Sequence, residues 1–210
     1  GNFKPEELLK EIEKRLIPKE EQGKIQRIYP PKEDKINKAY KEETMEVSIP
    51  LFAIGFKDME GMNDKKEIVK KHIAIEILLN MLMGKSSETY KKLYEAGDLL
   101  GQPDLDYEFS DEYAHIFIAG RSKRPEEIKK AIEEKLEEYM SKGLDAEHFE
   151  RIKKKIYGDY VVEYNSVGNI ARMFLADSMK GINSFDYIEE FSTVTKNYTE
   201  TIMKNVFKKD

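Results

Sequence analysis

Three histidines, no cysteine and a dense set of acids are the side chains of this sequence that could do chemistry. His72 and Glu76 stand four residues apart in a helical stretch, as two metal ligands can, and Asn80 continues the spacing. A zinc centre needs three or four ligands. Neither H-E-x-x-H nor H-x-x-E-H occurs, so this pair reads as part of a polar stripe facing solvent or another domain. Gly84-Lys85-Ser86 has the tail of a phosphate loop, but the glycine required five residues earlier is Leu79, within the same helix, and the reading fails. His148 follows a helix cap and reads as exposed. His115 lies in a strand and reads as packed. Lys153-Lys154-Lys155 reads as the solvated back of a helix. Without a thiol, and with no clustered acids, the residues offer no nucleophile and base pair.

The elements that carry these residues centre on one helix over 65–84. From Ile73 to Met83 it is apolar almost all round, broken only by His72, Glu76 and Asn80, so other elements must cover most of it. A strand over 46–57 leads into it, with Val47, Ile49 and Leu51 on one face and Phe52, Ile54 and Phe56 following, and reads as little exposed on either side. Pro50 cannot donate a ladder hydrogen bond, which places that strand at a sheet edge or at a bulge.

Around this pair the order is clear. Lys4-Pro5-Glu6-Glu7 opens a first helix through residue 16, with Leu8, Leu9, Ile12 and Leu16 as its buried stripe. Residues 17–45 are charged, contain Pro30-Pro31 and read as a linker with a short extended piece over 24–29. A helix capped at Ser86 or Ser87 ends near Gly97, and Gly97–Pro103 is a loop. Strands follow at 105–109 and 113–119, the second central. A helix from Pro125 closes at Gly143. Asp145 caps another, stapled by Leu144 and Phe149, and Asn165-Ser166 ends it. Helical segments at 167–179, 185–191 and 195–207 complete the chain. Strands in the middle without regular alternation define an α+β fold, with a mostly antiparallel sheet covered by helices.

Composition excludes several functions. There are 36 Lys and Arg against 41 Asp and Glu, a net charge of −5, with no basic run interleaved with aromatics, so nucleic acid is not an expected partner. No apolar run approaches the roughly 18 residues needed to span a bilayer. The start shows no signal pattern, so a cytoplasmic location is expected. The missing cysteines exclude disulfides and thiolate zinc sites. A start at Gly1 without Met predicts a piece of a longer chain: one domain over 1–210, with a first helix to residue 16, a linker over 17–45 and the main core over 46–210.

Several stretches together resemble a known family. Gly1-Asn2-Phe3-Lys4-Pro5-Glu6-Glu7 resembles the entry to the second domain of bacterial pitrilysin/insulinase-type zinc peptidases. The likeness continues through Pro50 to Asp58, Leu82 to Ser87, Tyr90 to Gly97, Asp145 to Lys155 and Tyr164-Asn165-Ser166. It is nearest the branch associated with modification of elongation factor P. The resemblance implies an α+β domain of the pitrilysin and mitochondrial processing peptidase type. It implies that zinc is bound by H-x-x-E-H in a missing N-terminal domain, and that two halves close around an unfolded peptide. No cofactor is then expected in this chain. Its partners would be its own N-terminal zinc domain, a related half or a second copy, and the peptide.

Related domains of the non-zinc half carry an Arg and a Tyr, seven residues apart, that hold substrate. Here the aligned positions are Tyr94 and Gly101, so neither role transfers. The expected function is a non-catalytic C-terminal domain that shapes the chamber and meets the catalytic domain. The rival is an assembly domain of an inactive relative. Candidate interface residues are His72, Glu76 and Asn80, the edge at Pro50, and Gly97 and Gln102 in the loop.

Overall fold

The structure, a computed structural model, describes residues 2–16, 26, 28, 36–60, 64–110 and 113–207. The extended piece expected over 24–29 and the Pro30-Pro31 segment lie outside or almost wholly outside these. Contacts divide the chain into two compact units, residues 1–37 and 38–210. In the first, α1 spans Pro5–Arg15, with Pro5 at its start, Glu6 and Glu7 in its first turn and Lys14 and Arg15 in its last. These charges complement the helix dipole at both ends. Its apolar stripe is not buried as expected: Leu8, Leu9, Ile12 and Leu16 are all exposed. Apolar spacing selects the face of a helix that would be covered; it does not supply the cover.

The second unit holds three strands and seven helices among its described residues. β1 (Leu51–Lys57), β2 (Asp104–Phe109) and β3 (Ala114–Arg121) form an antiparallel sheet in the order β1-β3-β2. Ile54 faces Ile118 across β1 and β3, and Leu105 faces Ile118 across β2 and β3. β3 is central, as its pattern predicts. β1 is an edge, as Pro50 predicts, but it begins only at Leu51. Residues 46–50 form no strand, and Val47 and Leu51 are exposed. The expected two-sided burial of β1 also fails. Successive side chains alternate across a sheet; Phe52, Ile54 and Phe56 turn inward, while Leu51, Ala53, Gly55 and Lys57 are exposed. Gly120 of β3 lies beneath Phe52. A Cβ there would meet the phenyl ring at 3.1 Å, so the close packing of the edge strand favours glycine.

The inner sheet face packs on α2 (Lys65–Met83), the organising helix. Asp64 caps it by accepting from the Lys66 N–H at 2.9 Å. Ile73, Ala74, Ile75, Ile77, Met81 and Met83 have no exposed surface, and Leu78, Leu79 and Leu82 are at most 2% exposed. α3 (Glu88–Glu95), α4 (Pro125–Lys142), α5 (Ala146–Glu163), α7 (Ser184–Glu190) and α8 (Lys196–Val206) all contact it. The Tyr139 hydroxyl of α4 donates to the Met81 carbonyl at 3.1 Å. Gly143, at φ +79, ends α4 in a conformation that side-chain-bearing residues avoid. Asp145 then caps α5 through the His148 N–H at 2.7 Å, with Leu144 and Phe149 both buried as the staple predicts. α6 (Val167–Met179) is the exception, since none of its residues is buried.

Candidate functional site

The polar stripe of α2 meets β2, α5 and α7 of its own unit. Helical spacing aligns His72, Glu76 and Asn80, and the stripe lines a cavity of about 130 Å³ with Leu105, Tyr107 and Tyr160. His72 Nδ1 lies 2.7 Å from the Tyr187 hydroxyl. Burial, aided by the Lys180 charge, pushes its pKa down to about 4, so the ring is neutral near pH 7. Burial pushes the Glu76 carboxyl up to about 7, against the nearby Lys155 charge and a hydrogen bond from Tyr160. Its Oε2 is buried without a hydrogen-bond partner among the described residues. Asn80 donates to the Glu76 carbonyl at 3.0 Å and accepts from Lys155 at 3.4 Å.

A wider, more open hollow of about 350 Å³ adjoins this cavity, sharing Asn80 and Leu105 and adding Gln102, Pro103 and Asp104. Four of the candidate residues, His72, Glu76, Asn80 and Gln102, therefore gather along one side of α2. Pro50 and Gly97 line neither hollow. Pro50 is exposed, and its carbonyl accepts from the Ser122 N–H at 3.1 Å. Gly97 is exposed at φ +73, after α3. Tyr94 stacks on Tyr90 and is exposed, and Gly101 takes φ +103 in the loop.

Other polar residues depart from their sequence reading. His148 is half-buried rather than exposed, and its Nε2 is buried without a partner among the described residues. Lys153 is not simply solvated: it donates to the Val194 carbonyl at 2.6 Å, tying α5 to the loop before α8. His115 is half-buried on the outer sheet face, stacked on Tyr113.

Sequence reasoning missed a buried ionic cluster. Lys71 Nζ lies 2.6 Å from Asp58 Oδ2, and both side chains are at most 2% exposed. The Tyr107 hydroxyl donates to the same carboxylate oxygen at 2.6 Å, and the Glu60 N–H donates to Oδ1 at 3.1 Å. These bonds pin the end of β1 to α2 and β2. A signal was available: Lys71 shares its helix face with Ile75, Leu78 and Leu82, where a cation needs a buried partner.

Zinc chemistry does not fit these residues. Among the described residues no three His, Cys, Asp or Glu side chains come together as a ligand set. No helix among them is long and apolar enough to cross a membrane.

The outer sheet face is the other notable surface. Ala53, Gly55 and Phe117 are exposed there and Ala119 is half-exposed, bordered by Asp104 and Asp106 of β2. Comparison with known proteins gives the family. Residues 1–156 match the model of the peptidase M16 inactive domain, and the chain belongs to that family. The resemblance to pitrilysin/insulinase-type peptidases read from the sequence is thereby supported.

A Bacillus subtilis protein described as the uncharacterized zinc protease YmfH is 25% identical over 210 residues, 97% of this chain and 48% of that protein. A solved structure described as an M16-like peptidase from Alicyclobacillus acidocaldarius matches with a TM-score of 0.72 at 22% identity, over 77% of this chain and 39% of that one. A protease from Helicobacter pylori matches with a TM-score of 0.65 at 18% identity, over 79% of this chain and 40% of that one. The chain thus spans about half the length of the curated relative, and less of these two structures.

Proposed function

We propose that this chain is the non-catalytic C-terminal domain of a zinc-dependent M16 peptidase, forming one wall of the chamber that holds an unfolded peptide and meeting the half that binds zinc. The observation that carries this is the bare sheet face. Phe52, Ile54, Ile116 and Ile118 turn to the covered side of the sheet, while Ala53, Gly55 and Phe117 leave a shallow apolar floor outside. Small side chains along such a floor let an extended chain lie close to it. The hollow at Asn80 and Gln102 is a candidate for contact with the catalytic half. The reaction itself needs a metal to activate water and a carboxylate to move its proton. Both come from the other half.

The test places bulk and charge on the floor of the full-length protein. A Cβ at Gly55 has its nearest neighbour at 3.7 Å, ordinary contact, so Gly55→Glu is tolerated by the fold. The expected result, for this variant and for Phe117→Glu, is a fall of about tenfold or more in kcat/KM for an unfolded peptide, with melting unchanged for Gly55→Glu and lowered for Phe117→Glu, which sets a second carboxylate opposite Asp106. Unchanged kcat/KM in both variants contradicts the wall. If the other half lacks H-x-x-E-H and the full-length protein captures a partner without cleaving it, the assembly reading replaces this one.

A further inference from the structure

We propose that the outer ridge of α6 is the surface on which the zinc-bearing half docks; this rests on the function just proposed. Val167, Ala171, Leu175 and Met179 follow at four-residue spacing and form one ridge along the helix. All four are exposed: Val167 by 62%, Leu175 by 64% and Met179 by 79%, with Ala171 beside them. Ile170 and Phe174 flank this ridge and are half-buried, with Phe174 edge-on to Phe185 at 5.1 Å. That flank is packed within the unit, and the ridge continues its apolar surface without cover.

No other helix of the second unit is arranged this way. α4 and α5 turn glutamates and lysines outward, whereas α6 has only Arg172 and Asp177 as charges in its 13 residues. Exposed Val161 and Val162 end α5 just before the turn into α6 and extend the apolar surface. A helix whose apolar surface runs on past its packed flank is one that a neighbour covers. Gly168 and Ala171 permit close approach of a second helix, at interaxial distances of about 8–10 Å.

The size of the ridge selects the occupant. From Val167 to Met179 it runs about 18 Å. Four side chains on one ridge fall short of the roughly 800 Å² per partner of a stable free-standing complex. They suit a tethered neighbour, for which the link supplies a high effective concentration. The curated relative and the two similar structures each have about as much chain again as the matched part, or more. The occupant is therefore an apolar helix face on the zinc-bearing half, not a second copy.

The chain has no cysteine, so Leu175→Cys and Met179→Cys each give it a single thiol. Labelling with a maleimide, followed by peptide mass spectrometry, reads their accessibility in the chain alone and in the full-length protein. Glu147→Cys, exposed at the start of α5, is the reference. The expected result is rapid labelling of all three in the chain alone. In the full-length protein, labelling at 175 and 179 slows by about tenfold or more while 147 is unchanged. Equal rates at all three sites in the full-length protein overturn the proposal. So does protection in the chain alone that grows with its concentration, which assigns the ridge to a second copy. Gel filtration of the two separate halves distinguishes the failures: halves that associate while Leu175→Cys stays reactive refute the ridge alone, and halves that never associate refute the function as well.

Discussion

His72 and Glu76 sit one turn apart on α2, and burial shifts them in opposite directions with opposite consequences for stability. The buried acid holds its proton more tightly in the folded state, with its pKa raised from 4.5 to about 7. The folded protein then binds more protons than the unfolded chain, and stability falls as pH rises through that window. The buried base holds its proton less tightly, with its pKa lowered from 6.5 to about 4. Stability from His72 is therefore present above pH 6.5 and lost as pH falls toward 4. The two slopes oppose each other between about pH 4.5 and 6.5, so only Glu76 acts just above that range. Glu76→Gln is expected to raise stability by up to about 3 kcal/mol at pH 8 and by no more than about 1 kcal/mol at pH 5. Denaturant unfolding at the two pH values checks this; an equal effect at both removes ionisation as the cause.

The Asp58 cluster makes the complementary case. Removing one member of a buried pair leaves the other charge without a counter-ion. Asp58→Ala is expected to cost about 3–5 kcal/mol, and Tyr107→Phe about 1.5–3 kcal/mol for a hydrogen bond to a charged group. Equilibrium unfolding of both variants measures these costs. A cost below 1 kcal/mol for Asp58→Ala would mean that water reaches Lys71.

Helix α2 shows most directly what pattern and physics can read at the scale of elements. Its length and its near all-round burial follow from an apolar run that one neighbour could not cover. The caps at Ser87 and Asp145 were legible for a local reason, since each satisfies an N–H within three residues; Ser166, read only as the end of α5, caps α6 in the same way. Long-range facts were less legible. The spacing of Leu8, Leu9, Ile12 and Leu16 says nothing of what covers them. The start of β1 at Leu51 depends on where β3 ends, at Arg121, its pairing partner. The candidate site was legible as a stripe. That it closes into a cavity depends on Tyr107, Tyr160 and Tyr187, residues 31 or more positions away from Glu76 in the chain. A contrast between two helices tests this account of packing. Leu79→Ala in α2 is expected to cost about 2–5 kcal/mol. Leu175→Ala in α6 should change the stability of the isolated chain by no more than about 0.5 kcal/mol. Thermal or denaturant melts of both variants decide it, and a large loss at Leu175 would show that α6 is packed on its own domain.

As a whole molecule, the chain belongs to the peptidase M16 inactive-domain family, and among its described residues no metal-ligand set comes together. The roles proposed above give its bare sheet face to substrate and the apolar ridge of α6 to a neighbour. The central claim is that catalysis lies outside this chain and depends on it. The most direct measurement is cleavage of an unfolded peptide, with and without a chelator, by this chain, by the zinc-bearing half, and by the two together. The expected result is no cleavage by this chain, little by the other half, and chelator-sensitive cleavage by the pair. Chelator-sensitive cleavage by this chain alone would contradict the claim.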